Sequence, residues 1–153
     1  MEAIKEEFGK ADLIAGVATG AIAHGALVAQ EMGLPFVYVR SEAKGHGLTN
    51  LIEGVYEKGQ SVVVIEDLVS TGSSSIKAVD ALRAEGLEVK GLASIFSYGF
   101  KIADQSFKKT KCKYVTLCSY EILIQQALKS NYITDKDLKS LKNWRENPEE
   151  WGK

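Results

Sequence analysis

Only two cysteines and two histidines occur in the 153 residues. Cys112 and Cys118 flank "KYVTL", which reads as a strand. At about 3.3 Å per residue they would stand roughly 20 Å apart, too far for a mutual disulfide. Without a histidine beside them they also make a poor zinc site, so both are expected as reduced, partly buried thiols. The formal net charge is −1, which removes any bulk electrostatic case for nucleic acid or an anionic membrane surface as a partner. No apolar run approaches the roughly 20 residues of a membrane-spanning helix. The N-terminal "MEAIKEEFGK" carries acids where a signal peptide has a basic start and an apolar core, so the cytoplasm is the expected compartment. Internal repeats and low-complexity stretches are missing too.

What is there is an ordinary globular composition, 45% hydrophobic and 25% charged, at a length that suits one domain over residues 1–153. "IKEEFG" ends a helix, with Ile4 and Phe8 one turn apart. "DLIAGVA" is a short apolar strand, followed by "TGAIAHGALVAQEMG", a helix introduced by Thr19 and Gly20 and closed by Gly33. "PFVYVR" is a second strand, and "SEAKGHGLTN" an aperiodic polar loop. "SVVVIED" is a third strand, apolar throughout as a sheet centre would be. "SSIKAVDALRAEG" is a helix with Ile76, Val79 and Leu82 on one side and Gly86 as its stop. "EVKGLASIFSYG" and "KYVTLCS" are two further strands. The tail from 119 to 153 is helical, with Ser119 capping one helix and Thr134 with Asp137 capping another. This alternation predicts an α/β fold with a central, mostly parallel sheet flanked by helices. Ligands of such sheets lie beyond the C-terminal strand ends, here after Ala18, Arg40 and Ile65.

The most specific stretch is "VVVIEDLVSTGSSS", Val62 to Ser75. A buried run that ends in two acids and then a hydroxyl cluster around one glycine calls for a bound ligand. Gly72 permits a tight turn, and Ser70, Thr71, Ser73 and Ser74 supply hydroxyl donors. The helix that follows adds unpaired N–H groups and a partial positive charge. That is a site for a phosphate monoester. Glu66 and Asp67 would repel a bare phosphate but accept hydrogen bonds from the hydroxyls of an attached sugar. The local chemistry is that of a ribose-5-phosphate cradle. It is not a Walker loop, because the lysine and the spacing are absent.

Residues Val62 to Ser74 resemble the phosphoribosyl pyrophosphate signature of the type I phosphoribosyltransferases. "DLIAGVATGAIAHGALVAQEMGLPFVYVRSEAKGHG" and "GLASIFSYGF" resemble the orotate branch of that family, in register from about Asp12 to Phe100. The resemblance implies a type I phosphoribosyltransferase-like core. It also implies transfer of ribose 5-phosphate from phosphoribosyl pyrophosphate to orotate, giving orotidine 5′-phosphate and pyrophosphate on the way to pyrimidine nucleotides. By that likeness Glu66 and Asp67 hold the ribose hydroxyls, and Val69, Ser70, Thr71, Gly72, Ser73 and Ser74 hold the 5′-phosphate. Ala18, Thr19 and Gly20 receive pyrophosphate beside Mg²⁺, which is bound mainly through substrate oxygens. "RSEAKGHG" resembles the mobile catalytic loop that closes over a neighbouring subunit's active site, so a homodimer with shared sites is implied. On that match Arg40, Lys44 and His46 neutralise the departing pyrophosphate, and Lys44, His46 and Asp67 are the expected catalytic residues. His24, one turn into its helix, reads as a packing or interface residue.

There are departures from the pattern. Many members carry a lysine directly after the arginine, where this chain has Ser41. Members also carry several dozen residues before the equivalent of Asp12, including a small hood over the base, whereas only Met1 to Ala11 stand there in this sequence. The arginine that some place after the strand matching "ASIFSYG" has no counterpart at that point, and Lys101 is the nearest cation. The sequence thus leaves open transfer to another base, and a relative or fragment that binds phosphoribosyl pyrophosphate or nucleotides without turnover.

Overall fold

A computed structural model describes residues 1–42 and 51–148. Elements follow in the order α1 (Glu2–Phe8), β1 (Leu13–Val17), α2 (Ala21–Met32), β2 (Phe36–Val39), β3 (Ile52–Glu53), β4 (Ser61–Val69) and α3 (Ser73–Ala84). They continue with β5 (Glu88–Ser97), α4 (Lys101–Lys109), β6 (Tyr114–Ser119), α5 (Tyr120–Lys129) and α6 (Asp135–Glu146). The strands form one six-stranded sheet in the order β3-β2-β1-β4-β5-β6. Every neighbouring pair is parallel except β2–β3, which is antiparallel. The expected α/β fold with a mostly parallel sheet is therefore what forms.

Strand periodicity explains the two-sided core. Leu13, Ala15, Val17, Val62, Val64 and Leu92 face one way, against Val79 and Leu82 of α3 and Phe107 of α4. Ile14, Val63, Ile65 and Ala93 face the other way, against Ile4 and Phe8 of α1 and Ala21 and Ala29 of α2. Alternate residues of β4 thus enter different core layers, which is why "VVVI" has no polar position. Gly91 lets the layers close: a Cβ there would strike the Phe8 ring and lie 2.7 Å from the Lys113 carbonyl. Gly33 ends α2 in the left-handed conformation, φ 66°, with its N–H on the carbonyls of Ala29 and Gln30. Both cysteines are free thiols, Cys112 buried and Cys118 half-buried. No helix among the described residues is long and apolar enough to cross a membrane.

Three elements differ from the sequence reading. β4 runs on past Asp67 to Val69, pairing Leu68 with Phe96 and Val69 with Ser97. The stretch after Phe100 forms α4, anchored by Ala103 and Phe107 at helical spacing. A two-residue β3 pairs Ile52 with Val39 and Glu53 with Tyr38 at the sheet edge.

Candidate active site

The chain order reverses between β1 and β4: from β1 it proceeds to β2 on one side, and from β4 to β5 and β6 on the other. Such a switch point opens a crevice beyond the strand ends. From the first strand comes the turn Ala18–Thr19–Gly20, whose Ala18–Thr19 peptide bond is cis. From the second come Glu66 and Asp67. The two meet directly, since a Cβ built on Gly20 would lie on the Asp67 carboxylate. Gly20 has an ordinary helical backbone, φ −60° and ψ −40°, so close approach is what this position requires of a glycine.

Glu66 and Asp67 differ in surroundings. Asp67 is half-exposed at the crevice. Glu66 is 3% exposed, and its Oε2 accepts a 2.8 Å hydrogen bond from the Ser75 hydroxyl. Burial pushes the Glu66 carboxyl up to about 7 from its ordinary 4.5; the Ser75 hydrogen bond acts against that rise, and the neighbouring Asp67 adds to it. A carboxyl poised there switches between accepting and donating hydrogen bonds near neutral pH.

Beyond β4 the backbone passes Ser70 and Thr71 into Gly72, the N-cap of α3, at φ 80° and ψ 3°. That left-handed conformation turns the chain so that α3 starts at Ser73. No side chain caps this helix, and no acid lies in its first turn. Its first N–H groups and dipole are thus left for an anion. A cleft of about 210 Å³ joins this turn to the other two strand ends, lined by Ala18, Arg40, Ser41, Ser73, Ser74 and Lys77 among others.

Arg40 follows β2 and is oriented from the sheet edge. Its N–H donates to the Leu51 carbonyl at 2.8 Å, and its guanidinium meets Glu53 of β3 at 3.4 Å. The structure therefore gathers Ala18, Arg40, Ser73 and Ser74 around one cleft and sets Gly20 against Asp67 beside it. Lys44 and His46 lie outside the described residues. His24 is exposed, with Nδ1 donating to the Gly20 carbonyl at 3.1 Å. Two site residues escaped the sequence reading. Ser75 was placed only at a helix start, although its distance from the acids is set by the turn. Lys77 was not singled out in the sequence, although it follows Ser73 and Ser74 by about one helical turn and lines the same cleft.

The phosphoribosyl transferase domain family matches residues 1–131. The orotate phosphoribosyltransferase of Phocaeicola vulgatus is 56% identical over 97% of this chain and 70% of its own length. This chain belongs to the orotate phosphoribosyltransferase family. Two solved structures agree with that membership. The family's enzyme from Aeropyrum pernix superposes with a TM-score of 0.73 at 27% identity, covering 87% of this chain and 72% of that one. Leishmania donovani UMP synthase superposes with a TM-score of 0.77 at 32% identity, covering 90% of this chain but 29% of that longer one. In this orotate phosphoribosyltransferase family member, the two acids, the Gly20 turn and the α3 N-terminus stand beside the switch point between β1 and β4.

Proposed function

We propose that this chain transfers the ribose 5-phosphate of phosphoribosyl pyrophosphate to orotate, releasing pyrophosphate and orotidine 5′-phosphate. The observation that carries the reading is the junction of Gly20 with Asp67, which joins an anion-receiving turn to a sugar-binding pair of acids. Ribose hydroxyls donate to Glu66 and Asp67. The 5′-phosphate lies against Val69, Ser70, Thr71, Gly72, Ser73 and Ser74 at the start of α3. The diphosphate lies along Ala18, Thr19 and Gly20 with Arg40 beside it. As the bond from C1′ to the diphosphate oxygen breaks and the bond from C1′ to the orotate ring nitrogen forms, the sugar gains positive character. The Asp67 carboxylate stabilises that charge. Positioning and electrostatics supply the rate, since no covalent intermediate with the protein is needed.

Among the described residues no three His, Cys, Asp or Glu side chains group as a metal cage. The arrangement suits Mg²⁺ carried in on the donor's own diphosphate and ribose oxygens, beside Asp67. When bound, the ion neutralises the leaving diphosphate. Family resemblance supports Lys44 and His46 as further diphosphate ligands, and a cytoplasmic homodimer with shared sites as the working form.

The test follows the loss of orotate absorbance with Mg²⁺ and phosphoribosyl pyrophosphate, together with sedimentation of the protein. Turnover is expected from a dimer, with loss in Asp67→Asn and in His46→Ala. Donor binding without any orotate-dependent pyrophosphate release would overturn the proposal.

A further inference from the structure

Ile52 fixes the register of the sheet edge. It is 2% exposed and pairs with Val39, so Glu53 falls opposite Tyr38. Side chains of an extended chain alternate between faces, so Tyr38 and Arg40 share one face and Val39 takes the other. Glu53 lies on the face of Tyr38 and is the diagonal neighbour of Arg40, within reach of two long side chains. The Arg40 N–H continues the pairing past the strand, donating to the Leu51 carbonyl at 2.8 Å. A slip of one residue would turn Glu53 into the core and take the acid off the face of Arg40.

Nη1 of Arg40 donates to Oε1 of Glu53 at 3.4 Å, with the two side chains 29% and 33% exposed. An ion pair this open to water adds little to the stability of the fold. Its effect falls on the guanidinium instead. Arg40 lines the cleft shared by Ala18, Ser41, Ser73 and Ser74, where its long side chain would otherwise sample many rotamers. Glu53 engages one N–H group from the sheet edge and leaves the other donors for paired oxygens in the cleft. It also sets a negative charge beside the cation.

The two effects pull in opposite directions on an anion in that cleft. Fixing the guanidinium reduces the entropy lost on binding and strengthens the hold. The carboxylate repels the same anion and weakens it. On the proposed transfer the anion beside Arg40 is the diphosphate, which must be held while its bond to C1′ breaks and released afterwards. We infer that Glu53 is a positioning residue that aims Arg40 at the diphosphate and, by its charge, keeps pyrophosphate from binding too tightly to leave. This rests on the proposed transfer for the identity of the anion.

Pyrophosphate with Mg²⁺, titrated into the full chain by calorimetry and so without turnover, tests the inference. Glu53→Gln keeps an acceptor for Arg40 but no charge. Pyrophosphate is expected to bind it roughly threefold to tenfold more tightly than wild type, through slower dissociation. Glu53→Ala also frees the guanidinium, so its affinity should fall several-fold below that of Glu53→Gln. Ribose 5-phosphate, which has no diphosphate, should bind both variants as it binds wild type, whereas a merely structural role would move it too. Glu53→Gln is close to isosteric and carries the test even if Glu53→Ala melts early. A Glu53→Gln chain that holds pyrophosphate no more tightly than wild type overturns the inference, as do equal affinities in the two variants or an equal change for ribose 5-phosphate. Undiminished pyrophosphate affinity in Arg40→Gln would instead sink the placing of the diphosphate beside Arg40, and the inference with it.

Discussion

The Ser75 hydroxyl donates to Oε2 of Glu66 at 2.8 Å, nine residues along the chain, and both side chains are buried. A strand end and a helix start are thereby joined by one bond beneath the crevice. Burial raises the Glu66 carboxyl to about 7, while an unfolded chain would titrate it near 4.5. Between those values the folded protein holds a proton that the unfolded one has released. The carboxyl therefore favours folding most below the unfolded pKa, and that advantage is lost as pH rises through the folded one. The loss is on the order of 3 kcal/mol.

Glu66→Gln removes that titration while leaving an oxygen for Ser75. The wild type is expected to be less stable in urea at pH 8 than at pH 5, and the variant to lose much less over the same interval. Equal pH dependence of the two denaturation midpoints would show that Glu66 is not the group responsible.

In the proposed function the same carboxyl binds the sugar. Ionised, Glu66 accepts from ribose hydroxyls; protonated, it gives up part of that capacity. Affinity for phosphoribosyl pyrophosphate is expected to rise through a midpoint near 7. Ser75→Ala takes away the hydrogen bond that favours the ionised form, so the midpoint moves to higher pH. Titrating donor affinity against pH in both proteins measures the displacement, and a midpoint that stays put or falls contradicts the role given to Ser75.

Gly20→Ala places a methyl group on the Asp67 carboxylate without straining the backbone, since φ there is −60°. Asp67 must swing away from the crevice. We expect melting within a few degrees of wild type and kcat/KM for the donor lower by roughly a hundredfold, as for a misplaced catalytic group. Near-normal turnover would mean that Asp67 keeps its place by another route.

How much of this was legible beforehand varies with the length scale of the signal. β4, α3 and the placing of Glu66 and Asp67 near the C-terminal end of β4 could be read because an uninterrupted apolar run, two acids and a hydroxyl-glycine turn lie within 14 consecutive positions of the sequence. The capping box of Thr134 and Asp137 was likewise local, and both of its hydrogen bonds form. α4 was missed because only Ala103 and Phe107 are buried on it, too few to set a period against its lysines. β3 is two residues long and owes its existence to pairing with β2. The hydrogen bonds from Arg145 to the Tyr98 and Gly99 carbonyls were unreadable for another reason: nothing near Arg145 in sequence speaks of them, and only the packing of α6 brings them together.

Gly72 sits at φ 80°, and a Cβ there would approach Phe107 to 3.2 Å. Gly72→Ala is expected to cost about 1–2 kcal/mol from the left-handed backbone alone. On the proposed function it should also weaken donor binding, because the turn sets the start of α3, where the 5′-phosphate is proposed to lie. Thermal melting and donor KM report the two effects separately, and a stable variant with unaltered KM would remove Gly72 from the phosphate site.

The last prediction concerns whether α6 opens as a unit of its own. It has no buried residue, and its contacts include Trp144, Arg145, the Leu141 carbonyl that accepts from Tyr120 Oη, and its N-terminal cap. With so little apolar burial, its opening should be governed by local terms. Thr134 accepts from the Asp137 N–H and donates to the Asp137 carboxylate, so Thr134→Ala removes both bonds and costs about 1 kcal/mol. If α6 opens alone, its amides should exchange roughly fivefold faster in the variant, while those of α3, held by Val79 and Leu82 in the core, should not change. Hydrogen exchange read peptide by peptide decides this. Equal acceleration in α3 would mean that the tail opens only with the whole sheet, and that Arg145 is as permanent a part of the β5 end as the strand itself.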